Sequence, residues 1–445
     1  MHWLALLCSP EPTENDRAGS AARLQALAWW ALQFTPRVAR LEDAVVLEVQ
    51  GSLRLFGGAA ALHERLQQGA IKAGLGLLRL AWAPSSLGAL ALARSGVSEG
   101  LSRPLAELLD ALPLQSLSAL QAHAPMLARL GCRRLADLRG LPRAGLGRRF
   151  GKEALDAIDQ AYGLKPEVHQ WLQTPAQFQL RLELPQRTEN AMVLLRCARH
   201  LLLQLCAWLA ARHAGIQSLI LHWEHDAMRA RDVGSKGQLS LRTAVTTRDF
   251  GHLSRLLAEH LALLSLAAPV SEISLQAGEV LPLEEHSISL LPASPDQARE
   301  PLLQLLERLS VRLGPQRLRC GYLQEDHRLE CMQHWQPWPG ESRQATAALR
   351  IPGYPQPSWL LEPPLRLHMK QDQPQYQGPL QLLAGPQRIE AGWWQADLAD
   401  QSRQTTRHVQ RAYFLALSAR AGALWIFQQR LADNEQGWYL HGVFA

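Results

Sequence analysis

The sequence lacks the paired cysteines on which disulfide scaffolds and zinc ribbons depend. Its six cysteines lie singly along 445 residues, and no CxxC pair occurs. Scattered cysteines of this kind are typical of a reducing cytoplasm, where we expect the protein to be located. No group of metal-ligating side chains has the spacing of a metal site, so we predict no metal and no other cofactor.

Long apolar runs are also absent from the sequence. The apolar start of the chain, Met1 to Cys8, is too short for the core of a signal peptide, and no basic residue precedes it. No other run has the length needed to cross a bilayer. We therefore expect a soluble, cytoplasmic protein that has no membrane partner.

The patterns that are present indicate several folded domains. Alternating strands and helices up to residue 100 predict an α/β layer, and short helices broken by Gly and Pro follow up to residue 162. Strands and two long helices between 178 and 277 predict an α+β domain. After a stretch rich in Pro, Gly and Trp over 337–364, short aromatic strands fill 380–444. The longest predicted helices cover 21–34, 59–73, 189–214, 249–266 and 301–313.

The positive charge of the chain is concentrated in one segment. The formal net charge is only +6, but eight bases lie between Arg129 and Lys152, and only Asp137 opposes them. Helix N-termini at glycine turns expose backbone N–H groups that bind phosphate, and arginines add charge-assisted contacts. We predict sequence-independent, salt-sensitive binding to duplex DNA; a solvated basic face on an ordinary helical module is the alternative. The predicted contacts are Arg133, Arg134, Arg143, Arg148, Arg149 and Lys152.

Several segments of the sequence resemble a known family. The stretch LGCRRLADLRGLPRAGLGRRFG over 130–151 resembles the thumb helix-hairpin-helix of the Y-family translesion DNA polymerases. The stretch FTPRVARLEDAVVLEVQGSLRLFGG over 34–58 resembles their palm, in particular that of the catalytically inactive ImuB branch. GPQRIEAGWW, LWIFQQR and GWYLHGVFA resemble the C-terminal region of ImuB-type proteins, so the likeness extends over nearly the whole chain.

The resemblance implies a multidomain chain of α/β and α+β type. It implies a truncated palm over 1–100 and a helical thumb with a helix-hairpin-helix over 101–165. A little-finger-like α+β domain would follow over 166–285, then a linker over 286–350 and a small β-rich C-terminal domain over 351–445.

Most of the carboxylates that a polymerase palm needs are missing. A working member of the family holds two Mg²⁺ ions through acids from two palm strands. The first strand, residues 3–8, has no acid, and residues 41–44 keep only one acid of the usual pair, Asp43. We interpret Asp43 as vestigial and Glu42 and Glu48 as structural or vestigial, and we predict that the protein is not a polymerase.

The fingers domain of the family is missing as well. Family members place further strands and the fingers between the first strand and the helix that precedes FTPRV. Only residues 9–22 fill that interval here. Because the fingers close over the incoming nucleotide, their loss leaves no evident nucleotide pocket.

A short peptide after the α+β domain resembles the motif with which bacterial proteins bind the β sliding clamp. Such a peptide inserts two apolar side chains into a preformed groove. Leu290 and Leu291 would be the anchors here, and the alternative is a short edge strand or a linker patch. The predicted clamp-binding residues are His286, Ile288, Ser289, Leu290 and Leu291.

Aromatic residues are clustered in the C-terminal region. We expect most of them to form a small β-rich core, although aromatics are also preferred anchors of interfaces. The resemblance implies contacts of this region with an ImuA-type RecA-like protein and with an error-prone C-family DNA polymerase. The aromatic residues are Trp393, Trp394, Trp425, Phe427, Trp438, Tyr439 and Phe444.

The sequence and the resemblance together predict a non-catalytic scaffold for mutagenic translesion synthesis in the SOS response to DNA damage. The protein would hold primer-template DNA and bring a partner polymerase to the clamp. Two alternatives stay open. One is an active low-fidelity polymerase with unusual acids, and the other is a pure protein-interaction module that does not bind DNA.

Overall fold

The computed structural model describes most of the chain. The described residues are 2–8, 17–98, 100–228, 234–283, 302–323, 326–338, 356–392, 409–430 and 436–444. They belong to two compact units, Met1–Arg312 and Leu313–Ala445. The first unit mixes helices and sheets, whereas the described part of the second is built mainly from strands.

The first unit begins with a four-stranded antiparallel sheet. Its strands are β1 (Trp3–Cys8), β2 (Val38–Leu41), β3 (Ala44–Glu48) and β4 (Leu78–Ala83), in the order β2-β3-β1-β4. The accompanying helices are α1 (Arg17–Ala31), α2 (Ala59–Lys72) and α3 (Ser86–Arg94). Strand β2 was not predicted, because four residues are too few to show a clear period.

Short helices follow the first sheet. They are α4 (Leu105–Asp110), α5 (Ser118–Gln121), α6 (Ala124–Arg129), α7 (Leu135–Arg139) and α8 (Arg143–Ala161). Helix α8 breaks at Gly151, whose φ of 86° lies in the left-handed region. Each glycine inside a helix costs about 1 kcal/mol relative to alanine. Helix α8 forms nevertheless, because Leu146, Phe150 and Ala154 recur at helical spacing and are buried.

A second sheet forms the rest of the first unit. Its strands are β5 (Gln179–Thr188), β6 (Ala214–His225), β7 (Lys236–Thr247), β8 (Val270–Ala277) and β9 (Val280–Pro282). The order is β5-β8-β6-β7, and β9 pairs with β6. Helices α9 (Ala191–Ala211), α10 (Phe250–Ala262) and α11 (Leu302–Leu313) accompany this sheet. All three helices lie where the apolar periodicity predicts them.

One apolar core joins the two sheets of the first unit. Helix α1 packs against α9, and the same buried cluster includes Leu4 of the first sheet and Leu219 of the second. Aromatic rings line the junction. The ring centroid of Phe178 lies 6.2 Å from that of Trp29 and 5.8 Å from that of Trp208. The two sheets therefore cannot separate without exposing this core to water.

The opposite face of the first sheet packs against α3 and the short helices. Ala5 of β1 and Val46 of β3 belong to a second buried cluster, together with Leu127 of α6 and Leu135 of α7. Because successive side chains of a strand point to opposite faces, Leu4 and Ala5 enter different clusters. The first sheet is therefore buried on both faces.

Helix α9 is long and apolar enough to cross a membrane, which the sequence analysis did not expect. In the structure, 67% of its apolar 18-residue window is buried inside the protein. Cys206 packs there as a small buried side chain, and all six cysteines of the chain are free thiols. The helix is apolar because it crosses the shared core of the first unit.

The second unit is built from antiparallel strands. Strands β10 (Arg319–Leu323) and β11 (Gln333–Pro337) form a hairpin. The others are β12 (Trp359–Arg366), β13 (His368–Lys370), β14 (Gln373–Gln375), β15 (Gln381–Ala391), β16 (Val409–Ser418), β17 (Gly422–Arg430) and β18 (Gln436–Val443). The larger sheet has the order β12-β18-β17-β16-β15, and β13 pairs with β14.

The segment predicted as a linker over 286–350 contains regular structure. Helix α11, which the periodicity did predict, and the β10–β11 hairpin both lie in it. Strand β12 likewise begins in the stretch rich in Pro, Gly and Trp over 337–364. The strands were missed because short polar strands have no strong apolar alternation and are held by pairing with distant partners.

The C-terminal aromatics divide into buried and partly exposed residues. Trp425 and Phe427 are buried beside Tyr413, so they belong to the core of the sheet. The Tyr413 hydroxyl lies 2.8 Å from Nδ1 of His441, and burial lowers the pKa of His441 to about 4. The partly exposed aromatics are Trp438, Tyr439 and Phe444. Trp393 and Trp394 lie outside the described residues.

Candidate nucleic-acid interface

The acids of the first sheet lie in the turn between β2 and β3. Glu42 and Asp43 form this turn, and Glu42 has a left-handed φ of 55°. Leu6 of β1 pairs with Val45, so β1 approaches the turn with Cys8 and not with an acid. Burial raises the pKa of the Cys8 thiol to about 11, and β1 therefore adds no negative charge near the turn at neutral pH.

One arginine holds both acids of this turn. The Arg94 guanidinium, at the end of α3, donates to Oε2 of Glu42 at 2.6 Å and also pairs with Asp43. It donates to the carbonyl oxygen of Ser116 at 3.1 Å, and the Ser118 hydroxyl donates to Glu42. The side chain of Arg94 is only 14% exposed. This cation thus joins the turn, α3 and the segment that contains α5.

The charge of Arg94 is stabilised by the two carboxylates. Burial by itself lowers the pKa of Arg94, but hydrogen bonds and Coulomb attraction from Asp43 and Glu42 outweigh burial and raise that pKa. A Mg²⁺ ion at this turn would have to compete with charge-assisted hydrogen bonds and with a permanent positive charge. The acid pair therefore stabilises the fold in this geometry.

Glu48 lies at the other end of β3, opposite Trp3 of β1. It is buried, lies 3.3 Å from Nη1 of Arg37 and accepts the backbone N–H of Gln50 at 3.2 Å. Glu48 thus has structural partners far from the turn. Within the described ranges, no group of three His, Cys, Asp or Glu side chains is placed to hold a metal ion.

All six side chains predicted to contact DNA lie at the surface. Arg143 differs from the others, because it pairs with Asp159 of its own helix and its charge is partly neutralised. The neighbouring Arg139 pairs with Asp110 at 3.2 Å and lies over the ring of Tyr162. Among the residues that the structure describes, no acid pairs with the five other predicted side chains. These are Arg133, Arg134, Arg148, Arg149 and Lys152.

The acid of the basic segment, Asp137, is used inside the hairpin. Its carboxylate accepts the backbone N–H groups of Arg133 and Arg134, both at 2.8 Å. These hydrogen bonds lower the pKa of Asp137. Asp137 therefore fixes the start of α7, while the side chains of both arginines stay exposed to solvent.

Three glycines of the basic segment border open space. A Cβ atom added at Gly131, Gly145 or Gly151 would meet no atom within 4 Å. Gly131 and Gly151 have positive φ values of 89° and 86°, which favour glycine. Gly145 is helical, and no internal contact requires a glycine there. An uncovered backbone on the surface allows close approach by a phosphate. We call residues 130–151 the basic hairpin.

The segment after α8 is fixed to the first sheet. Glu167 accepts the backbone N–H groups of Ser86 and Leu87 at the start of α3, both at 2.8 Å. The ring of His169 lies 4.7 Å from that of Trp3. Because the carboxylate of Glu167 fills this helix terminus, α3 does not offer its N-terminus to a phosphate.

Sequence reasoning did not find Arg94, Ser118 or Glu167. Arg94 is separated from Asp43 by 51 residues, and Glu167 from Ser86 by 81. A short sequence motif cannot reveal contacts between residues that are so far apart in the sequence. Arg94 is the one charged residue of α3. This isolated charge on an apolar helix suggests that Arg94 has an acidic partner, but it does not indicate which residue the partner is.

The predicted clamp-binding residues lie outside the described residues. Their assignment to the β sliding clamp stays a prediction. They are His286, Ile288, Ser289, Leu290 and Leu291.

We predict that Arg94→Met destabilises the first unit by about 1–3 kcal/mol, because two adjacent carboxylates and a carbonyl lose a charged donor. Urea unfolding measures this loss. Adding Glu42→Gln and Asp43→Asn should restore much of the stability, since the repulsion is removed. Arg103→Met, at an exposed site, is the control and should have little effect. Equal stability of Arg94→Met and the unchanged chain would contradict the structural role of Arg94.

No protein-family model matches the chain. Its relatives include Protein ImuB from Caulobacter vibrioides strain NA1000 / CB15N and from strain ATCC 19089 / CIP 103742 / CB 15. Each is 28% identical over 477 residues, which cover 99% of this chain and 97% of the relative.

Solved structures of DNA polymerases also resemble parts of the chain. An insertion ternary complex of Dbh DNA polymerase is 16% identical, with a TM-score of 0.30 over 59% of this chain and 76% of that chain. DinB from Sulfolobus solfataricus is 15% identical, with a TM-score of 0.30 over 60% and 77%. The alignment with ImuB, in contrast, includes the basic hairpin, the β2–β3 turn and the C-terminal strands. The chain is therefore an ImuB homologue along nearly its whole length, as its sequence motifs indicated.

Proposed function

We propose that the protein is a non-catalytic DNA-binding scaffold for mutagenic translesion synthesis in the response to DNA damage. It holds primer-template DNA and brings an error-prone polymerase to the sliding clamp. The observation that carries this proposal is the contact of Arg94 with Glu42 and Asp43. A guanidinium binds the acids at the position where the resemblance places the metal site of a polymerase.

The chemistry of DNA synthesis argues for a non-catalytic role. Polymerases transfer a nucleotidyl group with two divalent cations that neutralise the triphosphate and align the attacking hydroxyl. Mg²⁺ requires several oxygen ligands in near-octahedral geometry. At the β2–β3 turn two carboxylates contact Arg94, and β1 contributes the neutral thiol of Cys8. This arrangement supports binding of DNA without its extension.

The basic hairpin is the surface that we assign to DNA. Its exposed arginines neutralise phosphates, and the uncovered backbone at Gly145 allows a phosphate to come close. Contacts of this kind position DNA and do not read its sequence. Sequence-independent binding suits a scaffold that must act wherever a lesion occurs.

A scaffold also needs protein partners. We assign the β sliding clamp to the peptide over 286–291. We assign an ImuA-type RecA-like protein and an error-prone C-family polymerase to the C-terminal unit. Trp438, Tyr439 and Phe444 are partly exposed and suit such contacts. Buried aromatics such as Phe427 do not suit them. We place this assembly in the cytoplasm.

We predict that the full chain does not extend a primer on a primer-template duplex with either Mg²⁺ or Mn²⁺. Arg94→Ala should be equally inactive, because freeing Glu42 and Asp43 does not supply the missing acid of β1. Gel analysis of labelled primers measures extension, and an active Y-family polymerase serves as the positive control. Extension that Asp43→Ala abolishes would overturn the non-catalytic role.

We predict that replacing three hairpin arginines with alanine weakens duplex binding and its salt dependence. The variant carries Arg133→Ala, Arg148→Ala and Arg149→Ala. Each lost phosphate contact should reduce the slope of log K against log salt by about 1. Fluorescence anisotropy of a labelled primer-template across a salt series measures both quantities. The control removes equal charge from exposed sites elsewhere: Arg54→Ala, Arg79→Ala and Arg366→Ala. Equal affinities of the two triple variants would exclude the hairpin as the DNA site.

We predict that Gly145→Ala separates DNA binding from folding. Alanine is the better helix former by about 1 kcal/mol, and its Cβ would meet no atom of the protein. The variant should therefore be at least as stable as the unchanged chain, yet bind primer-template DNA more weakly because the added methyl group blocks the phosphate. Thermal unfolding and anisotropy measure the two effects. Unchanged affinity would show that the DNA backbone does not approach this glycine.

A further inference from the structure

A cavity with a cationic lining lies among helices α1, α9 and α10. It shares no lining residue with the basic hairpin, and its volume is ≈ 510 Å³, which is typical of sites for small ligands. None of the described residues that line it is acidic. The basic lining residues are Arg23, Arg196, Arg199, His200 and Arg255.

Helix α9 presents its charge to this cavity alone. Arg196 and Arg199 are the two charged residues of its sequence, and both line the cavity. With His200 and Leu203 they follow the i, i+3, i+4, i+7 spacing of one helix face. On a helix that is otherwise part of an apolar core, charge is thus confined to the face that borders the cavity.

Two arginines of the cavity have neutral partners among the described residues. Nε of Arg199 donates to the buried Ser254 hydroxyl at 2.8 Å, and Nη2 of Arg255 donates to Gln304 at 3.3 Å. Arg196 is exposed and makes no hydrogen bond or ion pair with a described residue. Like charges one helical turn apart repel each other. An anion bound beside Arg196 and Arg199 would relieve their mutual repulsion.

The first turn of α10 borders the same cavity. Asp249, the acid at this helix end, accepts the backbone N–H of His252 at 2.9 Å and so serves as the N-cap. Gly251 and Ser254 of α10 line the cavity. Because the carboxylate of Asp249 caps this helix end, α10 contributes backbone and the Ser254 hydroxyl to the cavity wall but little net positive charge.

Positive charge continues beyond Phe250, which borders the cavity. Asp249, the residue before Phe250, lines a neighbouring cavity of ≈ 470 Å³. The basic residues that line this second cavity are Arg65, Lys72 and Arg248. A ligand that carries phosphates at intervals along a chain can contact both groups of cations. A single small anion can contact one group.

We propose that the cavity among α1, α9 and α10 binds the phosphate groups of a nucleotide ligand through Arg196, Arg199 and Arg255. Arginine is suited to this because its planar group donates two parallel hydrogen bonds to phosphate oxygens. The phosphates belong either to a free nucleoside triphosphate or to single-stranded DNA, and the cations of the neighbouring cavity favour the strand. This site is additional to the basic hairpin and does not depend on the proposed function.

The test uses the full chain with Arg133→Ala, Arg148→Ala and Arg149→Ala, so that the basic hairpin contributes little. The two probes are a labelled single-stranded oligothymidylate and ATP without added metal. Adding Arg196→Ala and Arg255→Ala should weaken binding of the oligonucleotide at least about tenfold, because each lost charge-assisted hydrogen bond is a strong one. Adding Arg54→Ala and Arg79→Ala instead removes equal charge at exposed sites and should have little effect.

The outcomes separate the two sources of phosphate. If the added substitutions weaken binding of the oligonucleotide but not of ATP, the ligand is a DNA strand. If they weaken binding of both probes, a triphosphate is sufficient for binding. Unchanged affinity for both probes overturns the proposal, as does failure of the parent chain to bind either probe. Lower thermal stability without weaker binding also overturns it, since the arginines would then serve the fold.

A single variant keeps the test decisive if the double variant does not fold. Arg196→Gln changes an exposed side chain and should leave folding intact. It should weaken oligonucleotide binding about fivefold to tenfold, and unchanged affinity would overturn the proposal. In a chain that keeps the hairpin arginines, Arg196→Gln should not change duplex binding, so the result is independent of the test of the basic hairpin.

Discussion

A single half-buried cation, Arg94, joins parts of the first unit that lie far apart in the sequence. The β2–β3 turn, the end of α3 and the segment around Ser116 meet at its guanidinium. Without this charge, two adjacent carboxylates would repel each other beside an unpaired carbonyl. The same geometry accounts for the proposed loss of chemistry. In the proposed scaffold, the carboxylates at the position of a polymerase metal site contribute to stability, and the exposed arginines of the hairpin bind DNA.

The shared core between α1 and α9 has a second effect on the surface. It brings the basic residue of α1, the charged face of α9 and the first turn of α10 to one place. If the two sheets had separate cores, these three elements would not need to meet. The cationic cavity is thus a consequence of the same packing that makes the first unit compact. Residues such as Leu203 serve both, because they line the cavity and belong to the core.

The sequence predicts those features of the structure that depend on residues close together in the chain. The period of the apolar residues predicts α9 and α10, and the absence of acids from β1 and the exposure of the hairpin arginines follow from composition and spacing. The four-residue strand β2 and the polar β10–β11 hairpin have no comparable period and were missed. Contacts between distant residues were also missed. The pairing of Arg143 with Asp159 and that of Arg94 with Asp43 exist only after the chain has folded.

The attachment of the segment after α8 to the first sheet has a geometric consequence. Glu167 and His169 fix this segment at α3 and Trp3, while the other face of the same sheet belongs to the core that carries α9. The basic hairpin and the cationic cavity therefore belong to the same folded unit, and the distance between them is fixed by its core. If the hairpin holds duplex and the cavity holds single-stranded DNA, as proposed, a primer-template would need a minimum length of single-stranded template to occupy both.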